Sequence, residues 1–160
     1  MRFYLRISFF ILYISNIIAQ EPTRTLAVLD FEPRGINSLE AATLTDRFTS
    51  EIGKTEAMTL VDRTMVEEIL KEQGFQQSGC TTDECAVEVG ALLGVQFMIS
   101  GSIGKLGDTY TIDAKIVSIE TGATTESRNV TYIGKVDGLV TEIEILAWDI
   151  LGLKPPEALL

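Results

Sequence analysis

The sequence predicts a single α/β domain in which helices pack on a mixed β-sheet. Apolar runs of strand length alternate with segments whose apolar residues recur every three or four positions, the period of a helix. The predicted order is β-α-β-α-α-β-β-β-α, so a β-α-β unit with parallel strands is followed by an antiparallel run of three strands. The chain has 160 residues without an internal repeat or linker, a length that suits one core.

The first half of the domain contains two predicted strands and two predicted helices. Residues 25–31 (TLAVLDF) form a continuous apolar run typical of a central strand. Asn37 marks the start of a helix and Gly53 its end. The apolar stripe of that helix comprises Ala41, Leu44, Phe48 and Ile52. Residues 58–61 form a short second strand, and Thr64 opens the next helix through a capping box.

The stretch from residue 79 to residue 122 carries the clearest local signals. Thr81 and Glu84 form a capping box that starts a helix, and Gly94 ends it in a left-handed conformation. Residues 95–103 are mostly apolar, as expected of a strand covered on both faces. A hairpin turn then leads to a strand with one buried face and one solvent-exposed face. Its buried residues are Tyr110, Ile112, Ala114 and Ile116.

The remainder of the chain predicts an edge strand and a final helix. Residues 123–133 are polar, which is typical of a strand at the edge of a sheet. The final helix has a wide apolar stripe, formed by Val136, Leu139, Val140, Ile143, Leu146, Ala147 and Ile150. Pro155 and Pro156 forbid further helix, so residues 155–160 are predicted to be a frayed tail.

Cys80 and Cys85 stand five positions apart on either side of the third helix start. In an exported protein this spacing favours a disulfide that ties the loop to the first helical turn. A redox-active pair more often has the spacing C-x-x-C. A zinc site needs four ligands, which only carboxylates could complete in this chain. A structural disulfide is therefore the prediction, with a catalytic thiol or a metal site as the alternatives.

Residues 1–19 have the composition of a secretory signal peptide. Two arginines precede an apolar run of signal-peptide length, which Asn16 interrupts and which is short for a membrane span. We expect cleavage near Ala19 or Gln20, with retention as an anchor as the alternative. The prediction is an exported protein in the periplasmic space of a Gram-negative-type envelope, with no membrane span in the mature chain. Its domain comprises residues 20–154.

The chain is acidic and contains no histidine. Its formal charge is -10 at pH 7, and loss of Arg2 and Arg6 with the signal changes it to -12. Such a chain is repelled by nucleic acid and by anionic lipid headgroups, which argues against both as partners. The absence of histidine removes the usual general base and the commonest metal ligand. We therefore expect a non-enzymatic binding or assembly protein without a cofactor.

Asp30 and Asp62 are the candidate residues of an alternative function, a small metal-dependent enzyme. Each falls at the carboxyl end of an apolar strand, the edge where open α/β sheets bind ligands. Two carboxylates there could hold a magnesium ion. The competing interpretation is that each caps a turn or pairs with Arg63 or Arg34. No third carboxylate or phosphate-binding loop accompanies them in the sequence.

Ile145 and Trp148 are the candidate partner surface. On a helical wheel they lie away from the main apolar stripe of the final helix, among polar residues. Either another element of the fold covers them, or they form an exposed apolar patch that marks a partner surface.

Several short motifs resemble the CsgG-like family. They are a first strand ending Val-Leu-Asp-Phe, a Val-x-Arg before a helix ending Glu-Gln, a Gly-Ser-Ile strand, and an Ile-x-Thr-Gly that closes the next strand. The resemblance covers residues 25–134. It implies the α/β periplasmic domain shared with the amino-terminal domain of TolB and with lipoprotein activators of cell-wall synthases. It carries over no catalytic residues.

The curli secretion channel of that family also has a lipid-bearing cysteine and two long hairpin insertions that build a transmembrane barrel. The signal here has no such cysteine, and no segment between the predicted elements is suitable for membrane strands. The resemblance therefore implies the periplasmic domain without the pore. We expect an envelope adaptor, associated with assembly or secretion, that binds envelope proteins or itself.

Overall fold

The computed structural model of the protein describes residues 23–75, residue 80 and residues 82–160. Its strands are β1 (Thr25–Val28), β2 (Glu32–Arg34), β3 (Thr59–Leu60), β4 (Phe97–Leu106), β5 (Thr109–Ser118) and β6 (Thr124–Ile133). Its α-helices are α1 (Ser38–Lys54), α2 (Arg63–Glu72), α3 (Asp83–Leu93) and α4 (Leu139–Asp149). Short 3-10 helices occupy Val136–Gly138 and Glu157–Leu159.

The strands form one mixed sheet in the order β3-β1-β4-β5-β6, and β2 also pairs with β4. β1 runs parallel to β3 and β4, whereas β4, β5 and β6 form an antiparallel meander. The predicted fold class is therefore confirmed, with β6 at the predicted edge. Gly107, with φ 61°, makes the tight turn between β4 and β5 possible because glycine adopts this left-handed conformation without strain.

The strand in the first apolar run, residues 25–31, is shorter than the sequence predicts, and a second short strand follows the run. β1 ends at Val28, and β2 begins at Glu32. Between them the Phe31 amide donates a hydrogen bond to the Thr45 hydroxyl of α1, at 3.1 Å, instead of to a neighbouring strand. The side-chain acceptor explains the interruption, which hydrophobicity alone does not reveal.

Two predicted helix starts lie at different residues. The Asp62 side chain, not Thr64, caps α2 by accepting a hydrogen bond from the Thr64 amide at 2.8 Å. α3 is capped by Thr82, which accepts from the Cys85 amide at 3.3 Å. The predicted cap, Thr81, lies outside the described residues. Asn37 caps α1 as predicted, but α1 continues past Gly53 to Lys54.

The helices cover the two faces of the sheet in pairs. α1 and α4 bury one face over the larger core, which includes Phe31, Phe48, Ile103, Ile112 and Ile143. α2 and α3 bury part of the other face over a smaller core, which includes Leu29, Val66, Val89 and Met98. The result is a three-layer arrangement in which the described residues leave the α2–α3 side of β4, β5 and β6 partly uncovered.

Candidate partner-binding surface

α1 and α4 lie side by side on one face of the sheet and bury their apolar stripes against it. Phe48 and Ile52 of α1 and Ile143 and Leu146 of α4 are almost completely buried. Above this apolar layer the two helices are joined by charged side chains. We call Arg47, Glu51, Glu144, Ile145 and Trp148 the α1–α4 surface.

An ion pair between Arg47 and Glu144 is the first link across the two helices. The Arg47 guanidinium donates a hydrogen bond to the Glu144 carboxylate. Glu144 is 5% exposed, whereas half of the Arg47 side chain is exposed. Because one partner is buried, removal of Arg47 would leave a carboxylate without compensation, which costs more than the loss of a surface ion pair.

Glu51 is the second link, and it is even more deeply buried, at 3% exposed. Its carboxylate accepts hydrogen bonds from the Lys54 ammonium and from the Trp148 indole N–H, the latter at 3.3 Å. Burial raises the pKa of Glu51, but these hydrogen bonds and the charges of Lys54 and Arg47 outweigh it. The pKa of Glu51 consequently lies below its ordinary value of 4.5.

Trp148 and Ile145 are both half-buried. The hydrogen bond to Glu51 fixes the edge of the Trp148 indole against α1. The two residues are thus neither fully covered nor fully exposed, so the structure selects neither of the two sequence-based alternatives. A rigid aromatic side chain with a satisfied polar atom and part of its surface in solvent is the kind of group that partner surfaces use.

The sequence analysis missed Arg47, Glu51 and Glu144. A signal was available, because Glu51 and Glu144 each stand next to core residues, Ile52 and Ile143, on amphipathic helices. An acidic residue at the border of an apolar stripe predicts either exposure or a cationic partner. Which partner it has depends on how two helices distant in sequence pack together.

The candidate metal ligands Asp30 and Asp62 have other partners. The Asp30 carboxylate binds the guanidinium of Arg63, which also contacts Asp46 and Glu67. Asp62 caps α2. Arg63 therefore supplies the positive charge that a metal would supply, as the competing interpretation predicts. Within the described ranges no cluster of three or more acidic or cysteine residues could hold a metal ion.

The pKa of Asp30 is raised above 3.8, mainly by burial. Arg63 opposes this shift, while the nearby charges of Asp46 and Glu67 add to it. A raised pKa means that the folded protein holds the charged form of Asp30 less favourably than the unfolded chain does. In this cluster one arginine joins three carboxylates of different elements.

Cys80 and Cys85 form a disulfide in the structure. Cys85 belongs to the first turn of α3, and both cysteines are buried in the smaller core. The disulfide thus joins the segment before α3 to the first turn of that helix, inside the smaller core.

A broad cleft of about 770 Å³ opens at the end of the sheet near the carboxyl end of α4. Apolar side chains, including Phe97, line its floor. At its rim, Arg128 pairs with Glu126 and Asp149. Arg24 and Glu120 also line the cleft.

A family model described as peptidoglycan-synthase activator LpoB matches residues 12–130, about three quarters of the chain. The chain belongs to the LpoB family. Solved structures share the fold at low identity. The LpoB C-terminal domain from Salmonella enterica has a TM-score of 0.58 at 16% identity, over 72% of this chain and 87% of that one. The LpoB C-terminal domain from Escherichia coli has a TM-score of 0.56 at 19% identity, over 69% of this chain and 82% of that one.

A third structure, lipoprotein GNA1162 from Neisseria meningitidis, has a TM-score of 0.59 at 14% identity, over 76% of this chain and 96% of that one. At these identities the structural likeness shows the fold alone. A comparison with curated proteins gave no match.

The LpoB match overturns the resemblance to the CsgG-like family, which was wrong. Two of the four motifs behind it lie at a strand end or in a turn. Val-Leu-Asp-Phe spans the break between β1 and β2, and Ile-x-Thr-Gly is the turn between β5 and β6. Such motifs encode the strand ends and turns of a fold, so they identify the fold and not one family within it.

The LpoB family consists of activators of a synthase, so the predicted non-enzymatic envelope role is confirmed. The enzymatic alternative based on Asp30 and Asp62 is wrong. Family membership also confirms the predicted location, an exported protein of the periplasmic envelope. No helix in the described part of the chain is long and apolar enough to cross a membrane.

Proposed function

We propose that this chain binds a peptidoglycan synthase of the bacterial envelope and activates it. The match to the synthase-activator family over residues 12–130 is the observation that carries this proposal. Binding without catalysis also agrees with the chemistry of the chain, which has no histidine. The envelope partner expected from the sequence is therefore the synthase itself.

We propose further that the synthase docks on the α1–α4 surface. Trp148 and Ile145 supply apolar area there, and the Glu51 hydrogen bond holds the indole in one orientation before a partner arrives. A side chain that is already ordered loses little conformational entropy on binding. Arg47 is half-exposed and can contribute a charged contact beside the aromatic ring.

The test is a binding and activity assay of the exported protein with the synthase of the same organism. The wild-type protein should raise the rate of glycan polymerisation. We expect Trp148→Ala to weaken synthase binding by tenfold or more, because truncated aromatic anchors cost about 2 kcal/mol or more. Since Trp148 is only half-buried, the variant should lose less stability than the ~3–5 kcal/mol of a core tryptophan.

Met65→Ala is the matched control. Met65 is a half-exposed apolar residue of α2, on the opposite face of the sheet. Its removal should leave binding and activation unchanged. Equal effects of the two variants would refute the α1–α4 surface, and a failure of the wild-type protein to raise synthase activity would refute the proposed function. Self-association through this surface would instead appear as a Trp148-dependent dimer in sedimentation without the synthase.

We propose for the exported protein the predicted domain boundaries, with residues 1–19 removed as a signal, residues 20–154 forming the domain and residues 155–160 a tail. We propose also that it carries the Cys80–Cys85 disulfide. The intact mass of protein recovered from a bacterial periplasm tests both statements. The measured mass should equal that of the chain without the signal residues. Thiol labelling before reduction should modify neither cysteine. A full-length, membrane-embedded product or two reactive thiols would contradict them.

A further inference from the structure

The face of the sheet opposite the α1–α4 surface is only partly covered. α2 and α3 pack on β1 and on the beginning of β4, where Ala27, Leu29 and Met98 are buried beneath them. Farther along the same face β4 carries Ser100 and Ser102. The positions beside them on β5 and β6 are polar and mostly exposed: Thr111, Asp113, Lys115, Ser127, Asn129 and Thr131. A polar sheet surface is therefore open to solvent among the described residues.

A pocket of about 200 Å³ lies in this open region. Its polar lining comes from four neighbouring strands and comprises Glu32, Arg34, Ser100, Ser102, Asp113, Lys115 and Ser127. β2 and β5 flank β4, so their charged side chains form two walls, with the β4 serines between them. The pocket is thus a polar cavity whose lining comes from paired strands of the sheet.

Ser100 is the group in this pocket that lacks a partner. The residue is 3% exposed, and its hydroxyl oxygen has no hydrogen-bond partner among the described residues. Buried polar atoms are almost always hydrogen-bonded in native proteins, so an exception calls for an explanation. A ligand group seated in the pocket would supply the missing hydrogen bond.

The charges around the pocket indicate the sign of that ligand. Arg34 donates hydrogen bonds to Glu32, at 2.6 and 3.1 Å, and Lys115 forms an ion pair with Asp83 of α3. Both cations are therefore engaged. The Asp113 carboxylate has neither a hydrogen bond nor an ion pair within the described ranges. Its charge acts on Arg34, whose donors nevertheless face Glu32.

The pocket lining carries two carboxylates and two cations, but Lys115 pairs with Asp83, which lies outside the lining, and Arg34 pairs with Glu32. Asp113 is therefore the carboxylate of the lining that no described cation pairs with. The hydroxyl oxygens of Ser100 and Ser127, which stand opposite Lys115 on the neighbouring strands, add acceptors to the lining. The unpaired Asp113 carboxylate would repel an anion, whereas a cation could form an ion pair with it. The small volume suits one extended side chain better than a larger ligand.

We propose that this pocket binds the side chain of a lysine or arginine from a second protein partner. Asp113 pairs with the cation, and the Ser100 oxygen accepts a hydrogen bond from it. Because the pocket and the α1–α4 surface are on opposite faces of the sheet, both can be occupied at once. The chain would then hold a second protein while the synthase is bound, which goes beyond activation of the synthase alone.

The test is an NMR titration of the exported protein with the capped peptide acetyl-Gly-Lys-Gly-amide. The expected result is saturable shifts of the backbone amides of Ser100, Asp113 and Ser127. The same peptide with an acetylated lysine, which has no charge, should produce no such shifts. Loss of one charge-assisted hydrogen bond weakens binding by about tenfold or more, so Asp113→Asn should raise the peptide Kd by that factor.

Glu88→Gln is the matched charge control. Glu88 is exposed on α3 and does not line the pocket, so its removal should leave the Kd unchanged within twofold. Ser100→Ala removes a hydroxyl that makes no bond in the free protein. We therefore expect its melting temperature to be unchanged or higher and its affinity for the peptide to be lower.

The proposal would be overturned by equal shifts with the acetylated peptide, by an unchanged Kd in Asp113→Asn, or by a lower melting temperature in Ser100→Ala. Much tighter binding of free lysine than of the capped peptide would identify a small-molecule site and also overturn it. The assay contains no synthase, so its failure leaves synthase activation standing. If the protein failed to activate the synthase, the proposal that this pocket binds a cationic side chain would still stand.

Discussion

Glu51 shows how one buried carboxylate organises the proposed docking surface. It accepts hydrogen bonds from Lys54 of its own helix and from Trp148 of the neighbouring helix. These contacts offset the cost of burying the charge, and they also set the orientation of the indole. The same residue therefore connects the stability of the fold with the shape of the surface.

The lowered pKa of Glu51 predicts a pH dependence. A carboxyl whose pKa is lower in the folded state stabilises the fold above its unfolded pKa of about 4.5 and loses that contribution as pH falls through the folded pKa. Glu51→Gln should consequently unfold at lower urea concentration than wild type at pH 7. The difference should shrink below pH 4.5.

Urea unfolding midpoints at pH 7 and at pH 3.5 measure this effect. Glu56→Gln is a suitable control, since Glu56 is exposed just beyond the end of the same helix. A destabilisation of Glu51→Gln that is the same at both pH values would show that the charge of Glu51 contributes nothing, contrary to this interpretation.

Residue-level patterns in the sequence indicate some of these features and not others. Asn37 and Gly94 bound their helices as predicted, because each acts on backbone groups within a few residues. The partners of Glu51 and Glu144 on the opposite helix, Trp148 and Arg47, could not be predicted. Both depend on contacts between residues 97 positions apart, which exist only after the helices have packed.

At the scale of elements, Arg63 joins three parts of the fold. Its guanidinium contacts Asp30 after β1, Asp46 of α1 and Glu67 of α2. Only a quarter of its side chain is exposed, so these contacts are less screened by solvent than surface ion pairs are. The cluster thereby fixes α1 and α2 relative to the edge of the sheet.

We expect Arg63→Ala to destabilise the protein by about 2–3 kcal/mol, because it leaves the half-buried Asp30 without its cation. The double variant Arg63→Ala with Asp30→Asn should recover part of that loss. Denaturant unfolding of the two variants measures both effects. A loss of less than about 0.5 kcal/mol for Arg63→Ala, typical of an ordinary surface substitution, would contradict this role.

The element order of the sheet is well encoded in the sequence, but its interruptions are not. Alternation in β5 and the polar composition of β6 identify those strands and the edge directly. The break before β2 depends on the Thr45 hydroxyl, which lies fourteen residues from the amide that it binds. The pocket around Ser100 was missed for the same reason, since four strands must pair before its walls exist.

At the scale of the whole molecule, the three-layer arrangement separates two surfaces. The α1–α4 surface lies on one side of the sheet, and the polar pocket lies on the other. In the proposed function the domain acts through what it binds. Two opposite surfaces of different chemistry, one aromatic and one acidic, suit a protein that connects envelope partners.

Hydrogen exchange of the full exported protein, with and without the synthase, tests the central claim most directly. We expect the synthase to slow exchange in α1 and α4, residues 38–54 and 139–149, and to leave α2, residues 63–72, unchanged. Trp148→Ala should abolish that protection at synthase concentrations that saturate the wild-type protein. Protection of α2 and α3 without change in α1 and α4 would contradict the proposed docking surface.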